Sequence, residues 1–466
     1  MALSRRDFLQ QLAASSLLLT GCKSETASQN GSELGTPNIE RPNVLMIVMD
    51  DLNDWVGYLK TNPQVQTPHM DALAAAGVQF TRAYCNAPLC NPSRASALAG
   101  MLPSKTKVTS NDIVLRKVLP DTVTLPQYFK QHGYYSFGTG KVFHHPDIHS
   151  WSMQRLRTED PLPAKLPISN TWCIGTALPQ YAFDWAPLNV ADQEMSDSKV
   201  ADTAINFLAQ KQDKPFFLSV GLVKPHAAWY VPQKYFDLYP RDSILLPEIL
   251  PSDRDDLPQG AWSFIWDSPQ KCVEEHNVWR DAIRGYLASI TFADAQIGRI
   301  MAALAQSPYK DNTIVVLWSD NGYHLGEKLH WHKSALWEKT IRVPFIITLP
   351  KELAKGKVVS SSVELLDIFP TLTDYCGLPT PTHLQGHSLR PVMTNPDAEW
   401  RYPILTIFNK SDYSIRVDQW RYIRYANGGE ELYDHNTDEK EWYNLAENPA
   451  FAAIKEQLKT VMLSMV

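Results

Sequence analysis

Three short stretches of this chain carry side chains whose types and spacing could do chemistry together. The first is Leu89-Cys90-Asn91-Pro92-Ser93-Arg94-Ala95-Ser96-Ala97-Leu98-Ala99-Gly100, in which a cysteine stands two residues before Pro-Ser-Arg. A thiol there is either a reactive group or a structural cysteine beside a proline turn, and the motif alone leaves both readings open. The second and third are Asp50-Asp51 and Asp320-Asn321-Gly322. Their carboxylate and amide oxygens are hard donors, suited to Ca2+ or Mg2+ rather than zinc. Taken singly, each is also an ordinary turn or helix cap. Together, with Cys90 between them, they point to a metal site. Gly138-Thr139-Gly140-Lys141 has the flavour of a phosphate loop, but the spacing G-x-x-x-x-G-K-[ST] is not met, because Val142 follows Lys141.

These residues stand at the ends of predicted strands. Asn43–Met49 is a continuous apolar, β-prone run, the pattern of a strand buried on both faces, and Asp50-Asp51 follow it directly. Thr313–Trp318 is of the same type and leads into Asp320-Asn321-Gly322. Phe216–Val220 is a third such strand, with Lys224-Pro225-His226 beyond it. Helices are expected over Pro68–Ala76, over Thr124–Gly133 and, long and amphipathic, over Ala282–Leu304. The alternation predicts an α/β fold, a large mixed or mostly parallel sheet flanked by helices, with its site at the strand ends. Past roughly Gly386 the texture changes to short aromatic strands at Ile404–Phe408, Tyr413–Val417 and Trp420–Tyr425. That tail reads as a small antiparallel sheet with a closing helix. The expected division is a catalytic domain over 42–385 and a C-terminal α+β subdomain over 386–466.

The Cys90–Gly100 stretch resembles the signature of the type I sulfatases. The likeness runs from Asp50 to the C-terminal subdomain. Within the family, Gly140-Lys141-Val142-Phe143-His144, Lys224-Pro225-His226 and Leu365–Leu372 are similar to the iduronate-2-sulfatase branch. The resemblance implies an alkaline-phosphatase-like fold and hydrolysis of sulfate esters. It implies that Cys90 is oxidised after synthesis to formylglycine, whose hydrate attacks sulfur, so a formylglycine-generating or other sulfatase-maturing enzyme is a partner. It also implies a divalent cation, Ca2+ with Mg2+ as the alternative, on Asp50, Asp51, Asp320 and Asn321 with modified Cys90 beside them. Lys141 would contact nucleophile and sulfate, and His144 would be the base that breaks the sulfated intermediate. His226, and Lys333 in His330-Trp331-His332-Lys333-Ser334, would stabilise or protonate the departing alkoxide. Arg94, a planar guanidinium suited to an oxyanion, would hold the nucleophile or sulfate. His145 is adjacent to His144 and is a candidate for facing the sugar; His330, His332 and Glu327 read as loop or structural residues. The chain departs from the family pattern at Asn91, Ala99 and Thr139. Asn91 lies in the segment the maturing enzyme reads, while the cysteine, proline and arginine of that segment are intact.

The amino terminus carries an address. Ser4-Arg5-Arg6-Asp7-Phe8-Leu9 is a twin-arginine export pattern, and the apolar run Leu12–Leu19 after it is shorter than the about 20 residues a membrane span needs. Leu19-Thr20-Gly21-Cys22 resembles a bacterial lipobox, which implies lipidation of Cys22. Residues 1–22 are therefore read as a signal and the polar stretch 23–41 as a flexible tether, placing the protein as a periplasmic or cell-surface lipoprotein held to a bacterial membrane. Cys85, Cys173, Cys272 and Cys376 remain for disulfides, with the pairing open. A net charge of −6 argues against nucleic acid as a partner, yet leaves room for a polyanionic substrate in a local cationic pocket. The implied substrate is a sulfated, uronic-acid-containing polysaccharide or oligosaccharide, glycosaminoglycan-like or algal ulvan-like. Trp229-Tyr230 and the Trp151–Trp185 region either line a sugar pocket or pack as ordinary aromatics. Rival readings are a phosphodiesterase or phosphonate monoester hydrolase of the same superfamily, and a non-catalytic glycan-binding surface lipoprotein.

Overall fold

The computed structural model describes residues 41–161 and 183–466, except residue 353. The signal and tether, Cys22, Cys173 and part of the Trp151–Trp185 region lie outside the described residues. Among those described, no helix is long and apolar enough to cross a membrane.

The centre is an eight-stranded sheet. Its strands are β1 (Asn43–Asp50), β2 (Val78–Tyr84), β3 (Tyr135–Gly140), β4 (Met153–Arg155), β5 (Phe216–Pro225), β6 (Thr313–Ser319), β7 (Phe345–Thr348) and β8 (Lys357–Glu364), in the order β8-β2-β7-β6-β1-β5-β3-β4. Only β7 runs against the others, pairing antiparallel with both β2 and β6. The sheet is thus mixed, as the strand and helix alternation predicts. Along β1, Leu45, Ile47 and Met49 enter one core while Val44, Met46 and Val48 enter the other. A strand covered on both faces must be apolar at every position, which is why this run shows no alternation.

On one face, the helix α4 (Trp279–Gln306) packs against α3 (Ser196–Leu208) and β5. The helix α1 (Pro68–Ala76) follows Thr67 and leads straight into β2, and α2 (Cys90–Ala99) lies on the opposite face. Strand β5 extends five residues past the expected Val220, so Lys224 and Pro225 belong to the sheet rather than to a loop. Asp197 explains the extension: its carboxylate accepts the backbone N–H groups of Val223 and Lys224 at 2.8–3.0 Å.

The C-terminal subdomain is an antiparallel sheet of Ile404–Phe408, Asp412–Val417, Trp420–Arg424 and Glu430–Asp434. The helix α5 (Ala452–Met465) closes it, burying Ile454, Leu458 and Met462 at the four-residue spacing of one helical stripe. Its fourth strand, Glu-Glu-Leu-Tyr-Asp, is too acidic to read as a strand from pattern. Glu431 is tolerated inside because Tyr433 and Trp337 donate to its carboxylate at 2.6 and 2.8 Å. Cys85 and Cys376 are buried free thiols, and Cys272 is disulfide-bonded.

Candidate active site

Strands β6, β1, β5 and β3 are neighbours and mutually parallel, so their C-terminal ends open on one edge of the sheet. That edge receives Asp320 and Asn321 after β6, Asp50 and Asp51 at the end of β1, His226 after β5 and Lys141 after β3. Asp51 has φ 61°, a left-handed turn that ends β1, and its N–H donates to Asp320 Oδ1 at 3.1 Å. Cys90 is the first residue of α2, and Arg94 follows one turn later on the same face. All four residues of β1, β6 and α2 just named as acidic or cationic, together with Cys90, are buried.

The contacts are close. Cys90 Sγ lies 3.3 Å from Asp50 Oδ1 and 3.8 Å from Asp51 Oδ1. Lys333 Nζ donates to Cys90 Sγ at 2.7 Å and to Asp51 Oδ1 at 2.6 Å. Lys141 pairs with Asp50 Oδ2. Arg94 Nε donates to Asp320 Oδ2 at 2.7 Å, and its other nitrogens reach Asp50 and the carbonyls of Met49, Lys141 and Val142. His226 Nε2 lies 3.7 Å from Asp51 Oδ2, while its Nδ1 bonds the Ala227 carbonyl at 2.6 Å. His144 stands within electrostatic range of Lys141, Asp50 and Arg94, and its buried Nδ1 has no hydrogen-bond partner.

Electrostatics separates the roles. Burial would raise Asp50, but Lys141, His226, Arg94 and Lys333 outweigh it and hold its carboxyl well below the usual range. Asp320 goes the other way: burial, with Asp50 and Asp51 as like charges against the pull of Arg94, raises it to about 6. Burial and the neighbouring Asp50 push the Cys90 thiol well up, so it is held as thiol, a poor nucleophile as it stands. Burial lowers His144 to about 3 and His226 to about 4, leaving both imidazoles neutral at pH 7. Burial opposes the charge on Lys333, yet Asp51 and Asp50 keep it a cation.

The donor set suits a hard cation. Oxygens of Asp50, Asp51 and Asp320 all lie within 4.8 Å of one another. Asn321 donates through Nδ2 to Asp51 at 2.8 Å, while its Oδ1 is buried with no partner. An orphaned buried amide oxygen beside three converging carboxylates is what an oxygen-seeking divalent ion would satisfy.

The structure thus brings Asp50, Asp51, Cys90, Arg94, Lys141, His226, Asp320, Asn321 and Lys333 into direct contact, with His144 alongside. It does not bring in the other candidates. Trp229 and Tyr230 are core residues, their polar atoms taken by the Pro225 carbonyl and the Asp184 carboxylate. Trp151 is buried against Phe143 and Gly138. His145 is tied to the Asn111 carbonyl at 2.7 Å, and His330 Nδ1 accepts the Trp266 N–H at 2.9 Å. Several supporting residues have no sequence signal. Tyr286 of α4 accepts the Asn53 N–H and donates to the Asp51 carbonyl at 2.8 Å, and Ser319 Oγ accepts the Leu52 N–H at 3.0 Å. Asn91, a departure from the family pattern, has a folded-state use. Its Nδ2 donates to the carbonyls of Ser110 and Ile113 at 2.9 and 2.7 Å, and its N–H is accepted by Asn111 Oδ1 at 3.0 Å.

Comparison with known proteins agrees with this geometry. The family model described as Sulfatase matches residues 42–378, and that described as N-sulphoglucosamine sulphohydrolase, C-terminal, matches residues 326–466. The chain belongs to the sulfatase family, the sulfuric ester hydrolases. It is 37% identical to a sulfatase of Formosa agariphila, covering 96% of this chain and 90% of the relative. It is 30% identical to iduronate 2-sulfatase of Homo sapiens, over 73% and 70%, and 27% identical to an ulvan-active sulfatase of Formosa agariphila, over 95% and 84%. Among solved structures, phosphonate monoester hydrolase of Agrobacterium radiobacter superposes with TM-score 0.77 at 22% identity, over 91% of this chain and 95% of that one. A structure in complex with its substrate D-glucosamine-2-N,6-O-disulfate superposes at 0.74 and 22%, over 91% and 97%. These last two likenesses establish the alkaline-phosphatase-like fold.

Proposed function

We propose that this enzyme hydrolyses sulfate esters on a sulfated, uronic-acid-containing polysaccharide or oligosaccharide, using formylglycine made from Cys90 and a divalent cation, Ca2+ or Mg2+. The observation that carries the reading is Cys90 itself. It is buried within 3.3–3.8 Å of two carboxylates and 2.7 Å from an ammonium, and is held protonated. A cysteine kept as an inert thiol at the centre of a catalytic constellation makes sense as the precursor of a different nucleophile. When present, the aldehyde hydrate and the cation supply a nucleophilic oxygen and charge stabilisation for the sulfate.

The chain's own residues do the rest. Asp50, Asp51, Asp320 and the free Oδ1 of Asn321 would hold the cation. Lys141 and Arg94 offer positive charge to a sulfate drawn towards Cys90, and Arg94 is itself fixed by Asp320. Lys333 and His226 flank the leaving-group side. Of the two, Lys333 carries the proton at neutral pH, whereas His226 is neutral with Nδ1 committed to a carbonyl, so Lys333 is the donor to the departing oxygen. His144, neutral and unpartnered at Nδ1, is the base that withdraws a proton when sulfate is released.

The polysaccharide substrate is supported by the ulvan-active relative and the sugar-disulfate complex. Export as a lipoprotein anchored through Cys22 rests on the amino-terminal pattern, and a disulfide at Cys272 fits an oxidising compartment. The test is the mass of the tryptic peptide Ala83–Arg94 from the native host, with turnover on a panel of sulfated oligosaccharides. Aldehyde in place of thiol, with sulfate release, supports the proposal. An unmodified cysteine in an inactive protein overturns it in favour of a glycan-binding lipoprotein.

A further inference from the structure

Lys333 reaches Cys90 from a loop that the backbone does not adopt without restraint. Within residues 328–334, four non-glycine residues have left-handed φ: Lys328 at 53°, Leu329 at 49°, His332 at 95° and Ser334 at 69°. Such a concentration of disfavoured conformations persists only where surrounding contacts over-determine it.

Lys328 supplies that restraint. It is a buried cation with no part in the site, and its Nζ donates to Asp253 Oδ1 at 2.7 Å and to the Glu441 carbonyl, beneath the rings of Trp337 and Tyr433 at 5.4 Å each. Arg254 adds a second hold, donating through Nε to the Lys328 carbonyl at 2.7 Å and through its terminal nitrogen to the Leu329 carbonyl. The far end of the loop is tied down where the Ser334 N–H donates to the Pro88 carbonyl at 3.0 Å, two residues from Cys90. Glu441 belongs to the C-terminal subdomain and is itself locked by Arg421.

We propose that Lys328, with Arg254, is a positioning residue. Lys328 fastens the strained loop to the C-terminal subdomain and Arg254 fastens it to the segment around Asp253, so that Lys333 Nζ stands 2.6 Å from Asp51 and 2.7 Å from Cys90, ready to serve the leaving group. The inference rests on the reading of Lys333 as the leaving-group donor. It makes the C-terminal subdomain part of the catalytic apparatus without any of its residues touching substrate.

The test uses two esters that differ in leaving group: 4-nitrophenyl sulfate, whose anion departs unaided, and a sulfated sugar alcohol, whose alkoxide needs a proton. Lys333→Ala should lower kcat on the sugar ester by about 10²-fold or more and much less on the nitrophenyl ester. Lys328→Met should repeat that selective loss at smaller size with KM little changed, and adding it to Lys333→Ala should cost almost nothing further. Arg254→Gln, which leaves the buried Lys328–Asp253 pair in place, gives the same readout if Lys328→Met does not fold. Equal losses on both esters, or full additivity with Lys333→Ala, would mean a merely structural clamp and overturn the proposal. Absence of leaving-group selectivity in Lys333→Ala itself would overturn the assigned role of Lys333, and the clamp's purpose with it.

Discussion

Two buried clusters of acids and cations in this molecule have the same ingredients and opposite character. At the sheet edge, Asp50, Asp51 and Asp320 converge with Arg94, Lys141 and Lys333. Where the catalytic body meets the C-terminal sheet, Glu338 and Glu441 converge with Arg421 and His435. In the second cluster every carboxylate oxygen has a partner. Arg421 bonds one oxygen of each glutamate, Tyr84 donates to Glu338 at 3.1 Å, the Glu338 N–H donates to Glu441 at 2.8 Å, and His435 lies 2.9 Å from Glu441. Burial would raise both glutamates, but Arg421 above all holds them below their usual range. In the first cluster Asn321 Oδ1 is orphaned and Asp320 is raised to about 6. A saturated network holds structure together; an unsaturated one has capacity left for a ligand, which is why the sheet-edge cluster is the one proposed to take the cation.

That contrast can be broken in order of effect. Cys90→Ser should cut turnover by on the order of 10⁴-fold or more, with trapped sulfated enzyme as the alternative outcome; retention of full steady-state activity would make the sheet-edge cluster ordinary. Arg421→Met should leave two buried glutamates facing each other and cost about 3–5 kcal/mol in chemical denaturation. If it proves neutral, the second cluster is not the glue described here.

Cation binding sharpens the same distinction. At about 100 times its Kd, Ca2+ should stabilise the protein by about 2.7 kcal/mol. Asn321→Ala should abolish that shift, while Glu338→Gln should lower stability and leave the shift in place. A shift lost in Glu338→Gln and kept in Asn321→Ala would move the metal to the other cluster.

The two clusters also differ in their response to acid. Glu338 and Glu441 are depressed in the folded state, so their stabilisation is full above the ordinary glutamate pKa of 4.5 and is lost as pH falls below it. His144 is depressed from 6.5 to about 3, so the base stays neutral and kcat/KM should show no acid limb centred near 6.5. Melts and rate profiles between pH 3 and 7 check both. The smallest effect belongs to Asn91→Ser. It removes the three hydrogen bonds from Nδ2 to the Ser110, Asn111 and Ile113 carbonyls, for about 1–3 kcal/mol of thermal stability, without changing the cation response.

Much of the sheet was legible because covering both faces of a strand demands an unbroken apolar run, as in β1 and β6. The site motifs were legible because each lies within a few residues of a strand end or helix start. Glu430–Asp434 was not, since its buried glutamate is satisfied through Trp337 and Tyr425, residues brought to it by folding, as well as by its strand neighbour Tyr433. The same holds for Tyr286 beneath Asp51 and for Lys328 beneath the Lys333 loop.

The sequence by itself determined the α/β class and which residues are the candidates for nucleophile precursor, oxygen ligands and cationic groups, because these depend on residue type and local spacing. Only the tertiary structure decided that Asp50, Lys141, His226 and Asp320 share one edge, that Cys90 is held as a thiol, and that Asn321 keeps a free oxygen. Those are properties of groups tens to hundreds of residues apart in the chain, and their charges and hydrogen bonds take definite values only when burial brings them together.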